Sequence, residues 1–171
     1  MTMAAMVAGA ALSLLGTGIA AAGTGPAPAS GTSATPAGTA GTEAGNPSSA
    51  VAQAAGVCSD AYQIGATSYI YRGTDKIASV KQFYSPGCKE NYGYVWVWNS
   101  FLSQNINFDL TTGVWSYDRE SLVGTRNVIG THAQEFWGNP ANTVSECTSG
   151  YGLISVIGET AHEARTDKRC A

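Results

Sequence analysis

Few side chains in this sequence are placed to move a proton, hold a metal or attack a carbonyl. His162-Glu163 begins the H-E-x-x-H pattern, in which two histidines one helical turn apart ligate zinc. Position 166 is Thr, so the second ligand is missing and a surface histidine is the expected reading. No G-x-S-x-G elbow marks a serine nucleophile, and His132 and His162 are far apart in sequence, so nothing favours a triad. Asp109, Asp118, Glu120 and Glu135 could supply the carboxylate pair of a glycoside hydrolase, which needs the two groups about 5–10 Å apart. Carboxylates on strands and turns are ordinarily only solvated. Glycine is abundant, yet no phosphate-cradling loop stands at a strand-to-helix junction. No cofactor is therefore expected.

The four cysteines, Cys58, Cys88, Cys147 and Cys170, are the next candidates. No C-x-x-C is present and neither histidine sits at ligand spacing from a cysteine, so no metal site is expected. In an exported chain of this size four cysteines are most simply two disulfides. Three connectivities are possible and spacing alone does not choose between them. Cys58–Cys88 and Cys147–Cys170 are favoured because each ties a strand-linked segment to its near neighbour.

The strongest candidate for binding is a row of aromatics. Tyr92, Tyr94, Trp96 and Trp98 alternate with Gly93, Val95 and Val97. On a strand the four rings project from one face, roughly 6.5–7 Å between successive members. Exposed, they would form a flat platform able to stack on sugar rings or on a partner's side chains. Buried, they would be one face of a core strand, the commoner fate of such rows.

Strands must position these residues, because the periodicity from Tyr62 onward is two. Tyr62–Tyr71 and Ile77–Tyr84 flank the turn-forming Arg72-Gly73-Thr74-Asp75 and read as a hairpin. Ser85-Pro86-Gly87 breaks the chain before Tyr92–Trp98. Gln104–Leu110 and Val114–Asp118 flank Thr111-Thr112-Gly113, a second hairpin signal. Asn127–Trp137 and Tyr151–Ile157 read as further strands, and Glu159–Thr166 as a short helical turn. The expectation is an all-β domain, a small antiparallel sandwich or curled sheet stapled by two disulfides and preceded by a disordered linker.

Composition draws the boundaries. The first fifty residues hold one charged residue, Glu43, and none of the sixteen aromatics or four cysteines. Ala4–Ala22 is an uncharged run ending Ala20-Ala21-Ala22, the small-residue pattern of a signal-peptide cleavage site, although Met1–Met6 carries no basic residue. As a helix it would be about 28 Å long, barely the hydrocarbon thickness, and rich in Ala and Gly. Residues 1–22 are thus expected to be a signal peptide, or a weak membrane anchor. Residues 23–56 are expected to be a disordered Ala/Gly/Thr/Pro/Ser linker, and residues 57–171 the folded domain. Nine basic against twelve acidic residues, with the bases scattered, offer no footprint for nucleic acid or for anionic lipid.

Cys58-Ser59-Asp60-Ala61 before a strand, then Phe83-Tyr84-Ser85-Pro86-Gly87-Cys88 with an aromatic four residues later, resembles the YjfA-like family. Its members are small exported proteins of Gram-positive bacteria, grouped as a domain of unknown function. The resemblance covers Cys58 to Trp98, with Tyr92-Gly93 standing where the family usually has Trp-Ala. It implies that Cys58 and Cys88 are bonded to each other, and it brings no catalytic residue. These readings together predict a secreted or cell-surface protein, a non-catalytic binding or structural module. Its expected partner is cell-wall glycan or an extracellular protein. The alternatives are a small secreted hydrolase of wall or polymeric carbohydrate, and a protease inhibitor presenting Ser85-Pro86-Gly87 beside Cys88.

Overall fold

The computed structural model describes residues 38–170. The expected signal segment, residues 1–22, and residues 23–37 of the expected linker lie outside the described residues. Along the chain run α1 (Ala50–Ala54), β1 (Tyr62–Arg72), β2 (Asp75–Ser85), β3 (Glu90–Val97), α2 (Asn99–Leu102) and β4 (Phe108–Ser116), then β5 (Ser121–Thr131), β6 (Glu135–Trp137), β7 (Thr148–Val156) and β8 (His162–Arg165). The strands form two antiparallel four-stranded sheets, ordered β1-β2-β3-β6 and β5-β4-β7-β8. The all-β, disulfide-stapled sandwich expected from the sequence is the observed fold.

The inner faces meet over one apolar core, with Ile70, Val80, Val95 and Val97 from the first sheet against Phe108, Leu110, Ile154 and Val156 from the second. Gly93 and Gly150 let the sheets touch there. A Cβ at Gly93 would run into the Gly113 carbonyl, and one at Gly150 into the backbone of Lys81. A second core lies on the outer face of the first sheet. Phe83, Tyr92, Tyr94, Trp96, Trp98 and Trp137 pack there against Ala52, Ala55, Val57 and Ala61.

That second core corrects the expected linker. Its described part, residues 38–56, is folded and straps the first sheet. Ser49 caps α1 by accepting from the Ala52 amide at 3.0 Å, and its hydroxyl donates to the Glu135 carboxylate at 2.6 Å. The Tyr94 hydroxyl donates to the Thr42 carbonyl, and Glu43 pairs with the buried Lys81 at 3.4 Å. A segment too apolar-poor to fold alone is ordered here because the sheet supplies the aromatic surface.

Three local expectations also change. Thr111-Thr112-Gly113 is the middle of β4 and not a turn: β-branched threonines suit a strand, and the chain reverses instead at Tyr117–Glu120. The stretch Asn127–Trp137 divides into β5 in the second sheet and β6 in the first, so it crosses between layers. Glu159–Thr166 carries β8, paired with β7 from Tyr151↔Arg165 to Ile154↔His162, because ladder pairing outweighs a weak helical propensity.

Both disulfides join sequence neighbours, Cys58–Cys88 and Cys147–Cys170. The first ties the end of the strap to the β2–β3 turn, the second ties the start of β7 to the chain beyond β8. Separations of 30 and 23 residues correspond to about 3.5 kcal/mol each in the chain-entropy account. Reduction with dithiothreitol is expected to lower the urea midpoint steeply; an unchanged midpoint would show that the bridges carry no stability. Gly93→Ala is expected to cost about 1–3 kcal/mol through overpacking of the sheet contact, read from the same urea curves, and a neutral outcome would mean that the sheets separate freely there.

Candidate functional site

Tyr92, Tyr94, Trp96 and Trp98 do share one face of the first sheet, as their alternation requires, but that face is not a binding platform. Tyr92 and Tyr94 are fully buried, and Trp96 and Trp98 are 6% and 7% exposed. The physical reason is that β3 is apolar on both sides: its valines face the second sheet and its rings face the strap. Tyr94 packs at 4.5 Å from Trp137, Tyr69 meets Trp98 edge-on at 5.8 Å, and the Trp98 indole donates to the Ser79 hydroxyl at 2.9 Å. Burial pushes the Tyr94 phenol well above its ordinary range, helped by the negative charges of Glu135 and Glu43. These are core residues, and a Trp→Ala change among them belongs with the roughly 3–5 kcal/mol losses of large core truncations.

The four candidate carboxylates go to separate tasks. Asp109 accepts from the Gly130 amide at 2.7 Å, and Asp118 from the Cys147 amide at 2.8 Å. Glu120 occupies a turn at φ 50°. Glu135 is buried beneath the strap, where its Oε1 also accepts from the Trp137 indole at 2.8 Å. Asp109, Asp118 and Glu135 are thus held by backbone or core partners, while Glu120 stands exposed on its turn. His132 is exposed, edge-on to Phe108 at 6.4 Å. His162 lies 3.4 Å from Glu159, which also pairs with Arg72 at 2.5 Å. That cluster joins the tips of two hairpins.

Among the described residues, the one group of His, Cys, Asp and Glu side chains close enough for shared ligation is Cys58, Asp60 and Cys88. Both sulfurs are committed to the disulfide. Asp60 instead organises the turn that carries it: the Ser85 hydroxyl donates to one oxygen at 2.5 Å and the Gly87 amide to the other at 2.7 Å. The Cys88 amide in turn donates to the Ser85 hydroxyl at 3.0 Å. Ser85-Pro86-Gly87 is closed further by the Lys89 amide on the Ser85 carbonyl at 2.8 Å.

The aromatic surface that remains open is on the second sheet. Register places Thr111 opposite Leu153 and Trp115 opposite Ser149, with Arg165 opposite Tyr151 and Glu163 opposite Leu153, all facing away from the inter-sheet core. Trp115 and Tyr117 are half-buried, Glu163, Arg165 and Lys168 exposed. Arg165 lies 4.0 Å over the Trp115 ring and 5.4 Å from Tyr151, while the Lys168 ammonium sits 4.5 Å over Tyr117. The Tyr151 hydroxyl donates to Glu163 at 2.6 Å. Burial, followed by Glu163, pushes this phenol up to about 12, so it stays a neutral donor at any physiological pH. A ring carrying a guanidinium, beside a carboxylate that the buried Tyr151 holds in place, can stack on a planar or pyranose face and hydrogen-bond its rim.

Sequence pattern does not single out this surface, because its aromatics are dispersed: Trp115 and Tyr117 on β4 and its turn, Tyr151 on β7. The available signal is Trp115-Ser116-Tyr117, period two, together with the bases Arg165, Lys168 and Arg169 near the end of the chain. No family model, no curated protein and no solved structure matches the chain.

The Ser85 hydroxyl, then the Gly87 amide, hold the Asp60 carboxyl below its ordinary value of 3.8. A depressed folded value contributes stability that is complete above the unfolded value and is lost as pH falls through the folded one. Asp60→Asn is therefore expected to flatten the acid limb of the stability–pH curve below about pH 4. An acid limb identical to the wild type would remove this role for Asp60.

Proposed function

We propose that the chain is an exported, non-catalytic binding module that holds a glycan on the open face of its second sheet. The observation that carries this reading is Trp115, a half-buried ring on the outward face of the second sheet, with the exposed Arg165 lying 4.0 Å over it. An exposed cation–π contact is worth about 0.5–1 kcal/mol. A sugar ring can displace it at little cost, and the guanidinium then serves the sugar's hydroxyl or carboxylate groups.

Export is supported by the chemistry of the bridges. All four cysteines are oxidised, a state that persists outside the reducing cytosol. Among the described residues no helix is long and apolar enough to cross a membrane. Membership of the YjfA-like family is part of the same proposal. The residues that carry the resemblance, Cys58, Asp60, Ser85, Gly87 and Cys88, form one bonded corner.

The test is retention on purified peptidoglycan and on other insoluble polysaccharides. Trp115→Ala is expected to weaken retention by at least about tenfold with the far-ultraviolet spectrum and melting temperature unchanged. Tyr71→Ala, at a 45% exposed tyrosine of the first sheet, is expected to bind as wild type. Equal retention of the wild type and Trp115→Ala would overturn the reading.

A further inference from the structure

The two sheets part at the end where β3 and β7 begin, leaving a cleft of about 240 Å³. Its walls are apolar: Ile64 from β1, Tyr84 from β2, and Val144 with Cys170 of the second disulfide. Its polar side is made by Asn91, Thr148 and Arg169. Typical drug-sized sites run from roughly 300 to 1,000 Å³, so this one fits a single ring or a short chain and no polymer.

The state of the polar groups decides what such a ligand must carry. Gln82 is fully buried behind the cleft. Its Nε2 donates to the Thr148 hydroxyl oxygen at 2.7 Å and to Asn91 Oδ1 at 3.3 Å. Thr148, which lines the cleft, thus accepts from inside and keeps its hydroxyl proton free to donate, while Gln82 Oε1 is buried without a hydrogen-bond partner. Asn91 Nδ2 is used by Thr143 at 3.0 Å. The one acid at the rim, Glu146, is spent on both oxygens, by Ser116 on one and Arg119 on the other. Among the described residues no carboxylate pairs with Arg169, although the Thr148–Arg169 bridge fixes its backbone beside the cleft. The cleft therefore offers a guanidinium and a hydroxyl donor above apolar walls, with its negative charge already neutralised.

We propose that this cleft binds a small organic carboxylate with an apolar body, its anionic group on Arg169 and Thr148 and its body against Ile64, Tyr84 and Val144. Charge-assisted bonds from guanidinium to carboxylate are the stronger class of hydrogen bond, and the apolar walls supply the rest. The site is separate from the open face of the second sheet and stands whether or not that face binds glycan.

The test titrates the full chain with phenylacetate, 3-phenylpropionate and hexanoate, following backbone amide shifts by NMR, with 3-phenylpropanamide as the neutral counterpart. At least one acid is expected to shift Tyr84, Asn91 and Thr148 saturably, with the amide at least about tenfold weaker. Arg169→Gln, at an exposed side chain, is expected to erase that preference without changing the melting temperature. No saturable shift with any of the three acids, equal binding of acid and amide, or a preference that survives Arg169→Gln would each overturn the proposal.

Discussion

A strand that carries valines on one face and a row of aromatic rings on the other must be covered twice. β3 is such a strand, and the arrangement of the molecule follows from it. The second sheet covers Val95 and Val97, and a β-sandwich normally stops there, leaving the outer face to solvent. Here the rings of Tyr92, Tyr94, Trp96 and Trp98 would then stand in water. Each such ring buries about 150–250 Å², on the order of 4–6 kcal/mol of gross transfer as an upper bound. That is enough to recruit a third layer from a segment with little apolar content of its own. Ala52 of α1 and Ala55 just beyond it are small enough to lie close on the rings, and Val57 completes the cover before Cys58 fastens it.

The polar bonds beneath the strap follow from the same burial. Once Glu135 and Lys81 are enclosed, each needs a partner, because an unpaired buried charge costs far more than a paired one. Ser49 and the Trp137 indole serve Glu135. Glu43 serves Lys81, which also donates to Thr67 at 3.0 Å and Gln63 at 3.3 Å. Buried ion pairs add little net stability, yet they penalise every misaligned seating of the strap. The aromatic layer gives the strap its affinity, and the charges give it one register.

The fold class and most strand positions were legible because they depend on local pattern, period two and turn residues; the cysteine pairing, which spacing leaves open, was favoured only as a tie between near neighbours. The strap was not, since residues 38–56 are ordered only by a surface assembled from strands distant in sequence. The same holds for Asn127–Trp137, whose pattern marks a strand without marking where it leaves one sheet for the other. Thr111-Thr112-Gly113 misled because Gly113 resembles turn punctuation, while its place is a crowded crossing where a Cβ would press on the Val123 carbonyl and its backbone leaves no room for a side chain at Gly93. At the candidate site the alternation placed the rings of β3 on one face, and of the two fates open to such a row, platform or core, the structure shows the commoner one.

Whether an aromatic row is core or surface is decided by its strand's other face. Opposite the rings of β3 stand Val95 and Val97, so neither face has a polar claim on water and both are enclosed. Opposite Trp115 on β4 the inward residues Leu110 and Val114 are buried, while its own face carries Asp109 and Thr111, and its ring is screened by Arg165. A face that mixes isolated rings with charges is stable in water and stays accessible. In this chain it is the mixed face of β4, β7 and β8, rather than the uniformly aromatic face of β3, that has the composition of a binding surface.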